Sequence, residues 1–177
     1  MCESTAKSTF HSTALIWGLV VLKQANWLPW CLGGEGSLEV VLRNNILTEV
    51  PFGVPPRAVI TYGLFTSGYH LSELFRYTFI GERKSDFEEM VVHHIVTVML
   101  YFGYIIANMH CVGAFIAVLH DVSDVFSNFG RIAQGSVYEK VSYFFFAIVL
   151  VTWAWTRLYI LPYSIWFFES KMIPEFF

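Results

Sequence analysis

The longest apolar stretch of this sequence, residues 141–168, limits what the chain can fold into more than any other feature. It reads VSYFFFAIVLVTWAWTRLYILPYSIWFF and carries one charged residue, Arg157. A membrane-spanning helix needs roughly 20 mostly apolar residues. Inside lipid the backbone must satisfy its own hydrogen bonds, which favours a helix. The stretch is therefore predicted to be a membrane helix that is kinked or ended at Pro162.

The composition of the whole chain agrees with a membrane protein. Hydrophobic residues make up 55% of the 177 positions and charged residues only 14%, whereas a soluble domain has about 25% charged residues. The mean hydropathy is +0.53. A formal net charge of −3 offers no basic surface to a phosphate backbone, so nucleic-acid binding is excluded as a function.

Four further segments are candidates for membrane helices, although the first of them is short and weak. They are residues 10–22, 58–80, 90–109 and 112–129. The sequence thus predicts an all-α, polytopic transmembrane bundle with about five membrane segments. No internal repeat or change of composition divides the chain, so residues 1–177 are expected to form a single domain.

The connection between the first two segments, residues 26–57, is predicted to be an interfacial loop. It contains Gly, Pro and Trp but no long apolar run, and Trp27 and Trp30 are expected at the level of the lipid headgroups. Lysines and arginines near the helix ends slightly favour a cytosolic N-terminus, which puts the His93 end of the third segment on the cytosolic side. The residues of that side are Lys7, Arg83, Lys84, Arg131 and Lys140, against Lys23, Arg43, Arg57 and Lys171.

The third and fourth segments contain ionisable side chains at positions where lipid is expected. Such groups are costly inside a bilayer, normally face a cavity or a partner, and by default indicate a functional site. The residues are His93, His94, His120, Asp121 and Asp124. Cys111 lies in the same apolar surroundings and is expected to be a buried, small hydrophobic residue.

These polar groups can meet because the connection NMHCVG is short and forces the two helices to run antiparallel. His94 precedes His110 by 16 residues and Asp124 follows it by 14. At about 1.5 Å of rise per residue, His94 and Asp124 therefore differ in depth by about 3 Å. The polar positions that share the facing stripes of the two helices are His93, Thr97, Asp121, Asp124 and Asn128.

A histidine and carboxylate site suits acid–base or nucleophilic chemistry. An imidazole acts as a base or a nucleophile near neutral pH, and a carboxylate on its second nitrogen fixes the tautomer. Interfacial histidines, helix–helix hydrogen bonds and a metal site are the alternatives, although no HxxxH or HxxHH pattern supports a metal. Arg157 could snorkel, bind an anionic group or, as we favour, pair with an aspartate. Glu73 and Arg76 are expected to pair with each other.

At these residues the sequence resembles a known family. The segments DFEEMVVHHIVTVML, NMHCVG and LHDVSDVF are similar to the signature of the TLC domain of ceramide synthases, with the core motif region at residues 86–131. The residues in phase with that signature are Asp86, Phe87, His93, His94, Asn108, Gly113, His120, Asp121, Ser123 and Asp124. The resemblance extends through CESTAKSTF, NWLPWCLGG, GYHLSELF and WTRLYILP, whereas Cys111 stands where the family usually has Arg.

The resemblance implies an N-acyltransferase of the endoplasmic reticulum membrane, a multi-pass protein that moves a fatty acyl group from acyl-CoA to the amine of a sphingoid base. It further implies acyl-CoA as co-substrate, no other cofactor, no metal, and a homo- or heterodimer as a possible assembly. The catalytic residues would be His93 as acyl carrier, His94 as proton acceptor, and Asp121 and Asp124 as orienting carboxylates. The substrate-binding residues would be Thr97, Asn108, His120 and Arg157.

Two other functions remain open from the sequence. TLC domains also occur in lipid-sensing and translocon-associated proteins without catalysis, and these generally lack the full set of His-His and His-Asp-x-x-Asp residues. A metal-dependent lipid hydroxylase or desaturase is the second alternative, and the absent histidine boxes argue against it. Members of the ceramide synthase family carry further spanning segments on both sides, so this chain is expected to be truncated or divergent.

Overall fold

A computed structural model describes residues 2–49, 53–80, 87–134, 139–167 and 169–170, and every regular element in them is helical. The all-α prediction is therefore confirmed. The α-helices of this described part are α1 (Cys2–Gln24), α2 (Leu38–Glu49), α3 (Arg57–Phe75), α4 (Phe87–Ile106), α5 (His110–Gln134), α6 (Glu139–Trp153) and α7 (Leu161–Phe167). A 3₁₀ turn occupies Trp30–Leu32, and π-helical turns occupy Arg76–Ile80 and Ala154–Ile160.

Helix α5 lies at the centre of the bundle and packs against α1, α3, α4 and α6. Its buried residues recur at helical spacing, which places them on one face, and this face includes Ala114, Val118, Asp121, Val125 and Asn128. The polar members of that face are thereby carried into the interior of the bundle. Helix α4 packs mainly on α3 and leaves most of its apolar side chains exposed.

Two asparagines end helices of this bundle in the left-handed conformation. Asn26 has φ 59° and Asn108 has φ 55°. The Trp27 amide donates to the Leu22 carbonyl at 2.8 Å and the Met109 amide to the Tyr104 carbonyl at 2.8 Å, the six-to-one bond of a Schellman cap. The cap after Ile106 is the tight turn that the sequence predicts between α4 and α5.

The last apolar stretch is helical beyond Pro162, so the proline does not end it. Helix α6 passes into the π turn Ala154–Ile160, in which the Leu161 amide donates to the Thr156 carbonyl, and α7 then continues to Phe167. A proline has no amide hydrogen and crowds the preceding turn. The wider π turn just before Pro162 accommodates both effects.

Among the residues that the structure describes, two helical stretches are long and apolar enough to cross a membrane, namely Phe87–Ile106 and Lys140–Phe167. Helices also occupy the other three places where the sequence predicts membrane segments. The first is longer than expected, because α1 has 23 residues and includes the polar start CESTAKS. Within the described residues, the predicted helices are thus present, and two of them meet the length and hydropathy needed for spanning.

The prediction of an interfacial loop over residues 26–57 is only partly correct. Helix α2 lies within it and contacts α7. Trp27 is fully buried in the core cluster, whereas Trp30 is 69% exposed. Trp27 is buried because the Schellman cap at Asn26 turns the chain back over α1. Only Trp30 is therefore available to a headgroup layer, and the placement of Trp27 there is wrong.

Candidate active site

Asp121 is the most enclosed carboxylate of the predicted site, with 5% of its surface exposed. Its Oδ1 lies 2.7 Å from the Nδ1 atom of His11 on α1, and a hydrogen bond joins the two atoms. Its Oδ2 accepts a longer hydrogen bond of 3.5 Å from the Tyr62 hydroxyl on α3. One carboxylate thus joins three helices, and its immediate histidine partner comes from α1.

Asp124, one turn further along α5, is paired with Arg157. The guanidinium Nη2 lies 2.9 Å from the carboxylate Oδ1. Arg157 sits in the π turn between α6 and α7, and its neighbour Thr156 is buried. The prediction that Arg157 pairs with an aspartate is confirmed. The pair holds two opposite charges together at the edge of the interior.

The two adjacent histidines of α4 have different surroundings. His93 is exposed, whereas only 5% of His94 is exposed. Neither ring nitrogen of His94 has a hydrogen-bond partner among the described residues. The His94 ring lies 5.4 Å from that of His93 and 5.2 Å from that of Tyr77. A buried imidazole with unused nitrogens can take or give a proton once a substrate supplies the partner.

A cluster of charges on α1, α3 and the π turn that follows α3 lies beside these histidines. Glu73 accepts two hydrogen bonds from Arg76, of 2.8 and 2.7 Å, and its Oε2 lies 3.2 Å from the Lys7 ammonium. The predicted Glu73–Arg76 pair is thereby confirmed. Lys7 also donates to the Tyr77 hydroxyl at 3.3 Å. The cluster fixes the ends of α1 and α3 together at the His94 end of the bundle.

Two cavities meet at these residues. The first, which we call the apolar cavity, has a volume of about 370 Å³ and extends between α4 and α5 toward Met109 and Val112. The second, which we call the polar cavity, has a volume of about 300 Å³ and is lined by Lys7, Glu73 and Arg131, among others. Both cavities share the same four lining residues, which are His70, His93, Asp124 and Arg157.

Five of the six histidines of the chain line these two cavities. They are contributed by α1, α3, α4 and α5, and they are His11, His70, His93, His94 and His120. The sixth, His110, lies at the turn between α4 and α5 instead. A concentration of imidazoles around one enclosed space, with carboxylates among them, is suited to moving protons.

The structure brings the four predicted catalytic residues to this pair of cavities. His93, Asp121 and Asp124 line the apolar cavity, and His93, His94 and Asp124 line the polar one. Asp121 is hydrogen-bonded to His11 and not to a histidine of α4 among the described residues. His94 and Asp124, which the sequence places at nearly the same depth, line the same polar cavity.

The predicted substrate-binding residues divide into two groups. Thr97, His120 and Arg157 line the apolar cavity. Thr97 donates to the His93 carbonyl at 2.8 Å, and the His120 Nδ1 lies 2.8 Å from the Ile116 carbonyl. Asn108 lies at the opposite end of α4, where it forms the turn and donates to the Gly53 carbonyl at 2.8 Å. The structure therefore gives Asn108 a place in the turn, where it lines neither of the two cavities.

His11 and Tyr62 are the main residues that sequence reasoning missed. His11 is the only ionisable residue between Lys7 and Lys23, and that isolation inside a weak apolar segment was a usable signal. Tyr62 gave no comparable signal, because a tyrosine in an apolar helix is ordinary. The partner of either residue depends on the packing of α1 and α3 against α5, which the sequence does not specify.

His11, Asp121 and Asp124 could also hold a metal ion, since their ligand atoms all lie within 4.8 Å of one another. Imidazole nitrogen and carboxylate oxygen are common zinc ligands. An ion at this place would have to displace the His11–Asp121 hydrogen bond and compete with Arg157 for Asp124. The existing contacts therefore suit proton transfer better than metal binding.

A sequence profile of the TLC domain matches residues 1–175. The chain belongs to the TLC domain family. Among its curated relatives, ceramide synthase hyl-2 of Caenorhabditis elegans is 33% identical over 78% of this chain and 46% of the relative. Ceramide synthase 1 LOH3 of Arabidopsis thaliana is 31% identical over 63% of this chain and 37% of the relative. Human ceramide synthase 4 is 29% identical over 93% of this chain and 38% of the relative.

These matches confirm the resemblance to ceramide synthases that the motifs indicate. The chain spans less than half the length of each of these relatives. No solved structure matches the chain. Cys111 is 2% exposed and packs in the apolar core as expected.

Proposed function

We propose that this TLC domain catalyses the transfer of a fatty acyl group from acyl-CoA to the amine of a sphingoid base. The observation that carries the proposal is the junction of the apolar and polar cavities at His93. A thioester has an apolar acyl chain on one side of its carbonyl and the highly polar coenzyme on the other. A junction between two such environments suits that carbonyl.

In this proposal the acyl chain occupies the apolar cavity. Its walls include Met99, Leu100 and Ile116, and it extends toward the turn between α4 and α5. The coenzyme lies toward the polar cavity, where Arg131 and Lys7 supply positive charge. Arginine and lysine are the usual partners of phosphate groups. Arg157 and Asp124, at the junction, bracket the reacting carbonyl.

His93 is the proposed acyl acceptor. Its imidazole nitrogen attacks the thioester carbonyl, the carbon–sulfur bond breaks, and the coenzyme leaves as a thiolate. His94, whose ring lies 5.4 Å away, takes the proton that the acylated imidazole of His93 must lose, and this proton passes to the thiolate. The amine of the sphingoid base then attacks the acyl-imidazole and releases His93.

The supporting residues act around this pair in distinct ways. Thr97 and His120 line the acyl side of the junction, and Asp124 balances the charge of Arg157. Asp121 acts through His11, its hydrogen-bonded partner. Asn108 contributes by shaping the turn between α4 and α5, which sets the relative depth of the histidines and aspartates.

The proposed location is the endoplasmic reticulum membrane, with the helices of α1, α3, α4, α5 and α6–α7 as five spanning segments and the His93 end toward the cytosol. A cytosolic opening suits coenzyme A, because its phosphates cannot enter lipid. The exposed apolar faces of α4 and α6 support contact with lipid or with a second subunit in a homo- or heterodimer.

The test is an acyltransferase assay on membranes that express this chain, supplied with sphinganine and a panel of acyl-CoAs. Wild-type membranes should form N-acyl sphinganine. Each of the variants His93→Ala, His94→Ala, Asp121→Asn and Asp124→Asn should lose activity at least about 100-fold at equal expression, since acid–base groups typically contribute that much. Added EDTA should change nothing, because the proposed reaction uses no metal.

His110→Ala is the matched control. Burial lowers the pKa of His110, and this residue lines neither of the two cavities. This variant should remain active. Membranes without any product from the wild-type chain would favour a non-catalytic, lipid-binding TLC protein. Loss of activity in EDTA would instead favour the metal-dependent chemistry.

A further inference from the structure

We propose that His11 removes the proton from the incoming amine, with Asp121 as the carboxylate that orients it. This assigns a catalytic base to α1, outside the two motifs on α4 and α5. The inference rests on the acyl transfer proposed above and adds the step by which the acceptor becomes a nucleophile.

The His11–Asp121 contact has the geometry of a catalytic dyad. The Nδ1 to Oδ1 distance is 2.7 Å, and the two residues are 8% and 5% exposed. A short hydrogen bond from Nδ1 to a buried carboxylate holds the ring in one orientation and keeps the ring hydrogen on Nδ1. The ring is also held edge-on by Phe10 and Tyr69, at centroid distances of 5.3 and 5.5 Å. The imidazole is therefore fixed in place before a substrate binds.

The second nitrogen of His11 is left for chemistry. With Nδ1 bound to Asp121, the Nε2 atom is the unprotonated one in a neutral ring. His11 lines the polar cavity, and His93 lines the same cavity. A molecule that reaches an acyl group on His93 from the polar side therefore enters a cavity that His11 also lines.

The chemistry requires such a base. A primary alkyl amine, like a lysine side chain with a pKa of about 10.4, is almost entirely protonated at neutral pH. The ammonium gives one proton to His11 Nε2, and its freed lone pair attacks the acyl carbon on His93. The carbon–nitrogen bond to His93 breaks, and the second amine proton neutralises the departing imidazole. His11 releases its proton to solvent, so the atoms and charges balance.

His11 suits this step better than His94 because of the charge that the base acquires. An imidazolium beside the Asp121 carboxylate is stabilised by that negative charge. His94 has no hydrogen-bonded carboxylate among the described residues, and both of its nitrogens are buried without a partner. His94 thus fits a brief proton relay next to His93, whereas His11 can hold a proton taken from a cation.

A purely structural role is the competing explanation, because the same bond ties α1 to α5. The variant His11→Asn separates the two roles. The asparagine side-chain amide can donate to Asp121 from nearly the position of Nδ1, so the tie is kept while the base is lost. The variant His11→Phe removes both. Thermal unfolding of each purified variant reports on the tie independently of activity.

The experiment measures transfer from an acyl-CoA to two acceptors, sphinganine and hydroxylamine, between pH 7 and 9. Hydroxylamine is mostly unprotonated at neutral pH and needs no base. His11→Asn should lose transfer to sphinganine at pH 7 but keep transfer to hydroxylamine. Its sphinganine rate should then rise about tenfold for each pH unit, as the free amine becomes available, whereas the wild-type rate stays nearly flat.

The pH slope is read within one variant, so it does not depend on how much protein is folded. Other titratable or charged groups face the same cavity and are present equally in the wild type and the variant. They are Lys7 on α1, Tyr69, His70 and Glu73 on α3, Tyr77 in the following π turn, His93 and His94 on α4, Asp124 and Arg131 on α5, and Arg157. A slope that appears only in the variant is therefore due to His11.

Three results would overturn the inference. In the first, His11→Asn is as active on sphinganine as the wild type at pH 7 while His11→Phe is inactive. This result would show that His11 only holds α1 against α5. In the second, His11→Asn loses equal activity with both acceptors while its Tm is unchanged. This result would show that His11 acts in the acylation of His93. A wild-type chain that acylates neither acceptor would overturn the proposed function itself, and the inference would fall with it.

Discussion

Asp121 and Asp124 lie one helical turn apart, yet they have partners of different kinds. Asp121 is hydrogen-bonded to a histidine and a tyrosine, and Asp124 is paired with the guanidinium of Arg157. An imidazole can exchange a proton with the carboxylate beside it, whereas a guanidinium cannot act as a proton donor, because arginine does not deprotonate in proteins. The two aspartates are thereby suited to separate roles, one in proton transfer and one in charge balance.

Glu73 supplies a residue-scale prediction, because one carboxylate serves two cations. Glu73→Gln keeps the shape of the side chain but leaves Lys7 and Arg76 without that negative charge. We expect the free energy of unfolding to fall by about 1–3 kcal/mol, the range for hydrogen bonds to charged groups. Thermal unfolding in detergent measures the change. Glu88→Gln, an exposed carboxylate on α4, should shift stability by less than about 0.5 kcal/mol.

A double-variant cycle tests whether the cluster acts as a unit. In a Lys7→Met background, Glu73→Gln should cost less than in the wild type, because one of the two cations has been removed together with its partner. Residues that share a contact typically show coupling of about 0.5–3 kcal/mol. Strictly additive losses would show that Lys7 and Glu73 do not interact in solution.

At this scale the sequence predicted local pairs and missed distant ones. Glu73 and Arg76 are three residues apart on one helix, and helical geometry alone brings them together. His11 and Asp121 are separated by 110 positions. Nothing in a single sequence shows which face of α1 rests on α5, so the histidine partner of Asp121 required the packed structure. Arg157 was an intermediate case, since an arginine within a membrane segment must find an anion.

Gly18 provides an element-scale prediction, because it permits α1, α3 and α5 to pack closely. A Cβ at this position would overlap the Val118 side chain on α5 and come 2.7 Å from the Tyr62 hydroxyl on α3. We expect Gly18→Ala to lower the free energy of unfolding by about 1–3 kcal/mol, as overpacking does. It should also reduce the proposed acyl transfer, since Tyr62 donates to Asp121.

Gly68→Ala is the matched control for that variant. Gly68 lies in α3, and a Cβ there meets nothing within 4 Å. The same substitution should therefore raise stability by about 0.5–1 kcal/mol, because alanine loses less backbone entropy in a helix. Thermal unfolding compares the two variants. Equal shifts of Tm in the same direction would contradict close packing at Gly18.

The helices themselves were largely predictable, and their irregularities were not. Apolar length predicted α4 and the α6–α7 stretch. The short NMHCVG connection predicted that α4 and α5 run antiparallel. Helix α2 was missed because its sequence, LEVVLRNNILTE, has no long apolar run. The π turns at Arg76–Ile80 and Ala154–Ile160 were also missed. Both carry an arginine that pairs with a cavity carboxylate, and a period-based analysis cannot detect one extra residue in a turn.

At the scale of the whole molecule, the basic residues form two groups at opposite ends of the helices. Lys7, Arg76, Arg131 and Lys140 lie toward the His93 end, and Lys23, Arg43 and Arg57 lie at or beyond the opposite ends of their segments. Arg83, Lys84 and Lys171, which also entered the orientation argument, lie outside the described residues. The imbalance is small, so the orientation needs a direct measurement.

Cysteine labelling in sealed microsomes provides that measurement. In a background with Cys2, Cys31 and Cys111 replaced, Glu88→Cys should react with a membrane-impermeant maleimide applied from the cytosolic side. Glu35→Cys, exposed in the connection beyond α1, should react only after the membrane is permeabilised. The opposite pattern would place the His93 end in the lumen and would contradict direct access of cytosolic acyl-CoA.

The distribution of the cavity histidines has a consequence for biogenesis. His11, His70, His93 and His120 belong to four different helices, and none of these helices alone has an enclosed space around its imidazole. Under the acyl transfer proposed above, a chain inserted with one of these helices missing or inverted would lack one imidazole and part of the cavity wall. Under that proposal, full activity is therefore expected only after all four helices have been inserted and packed together.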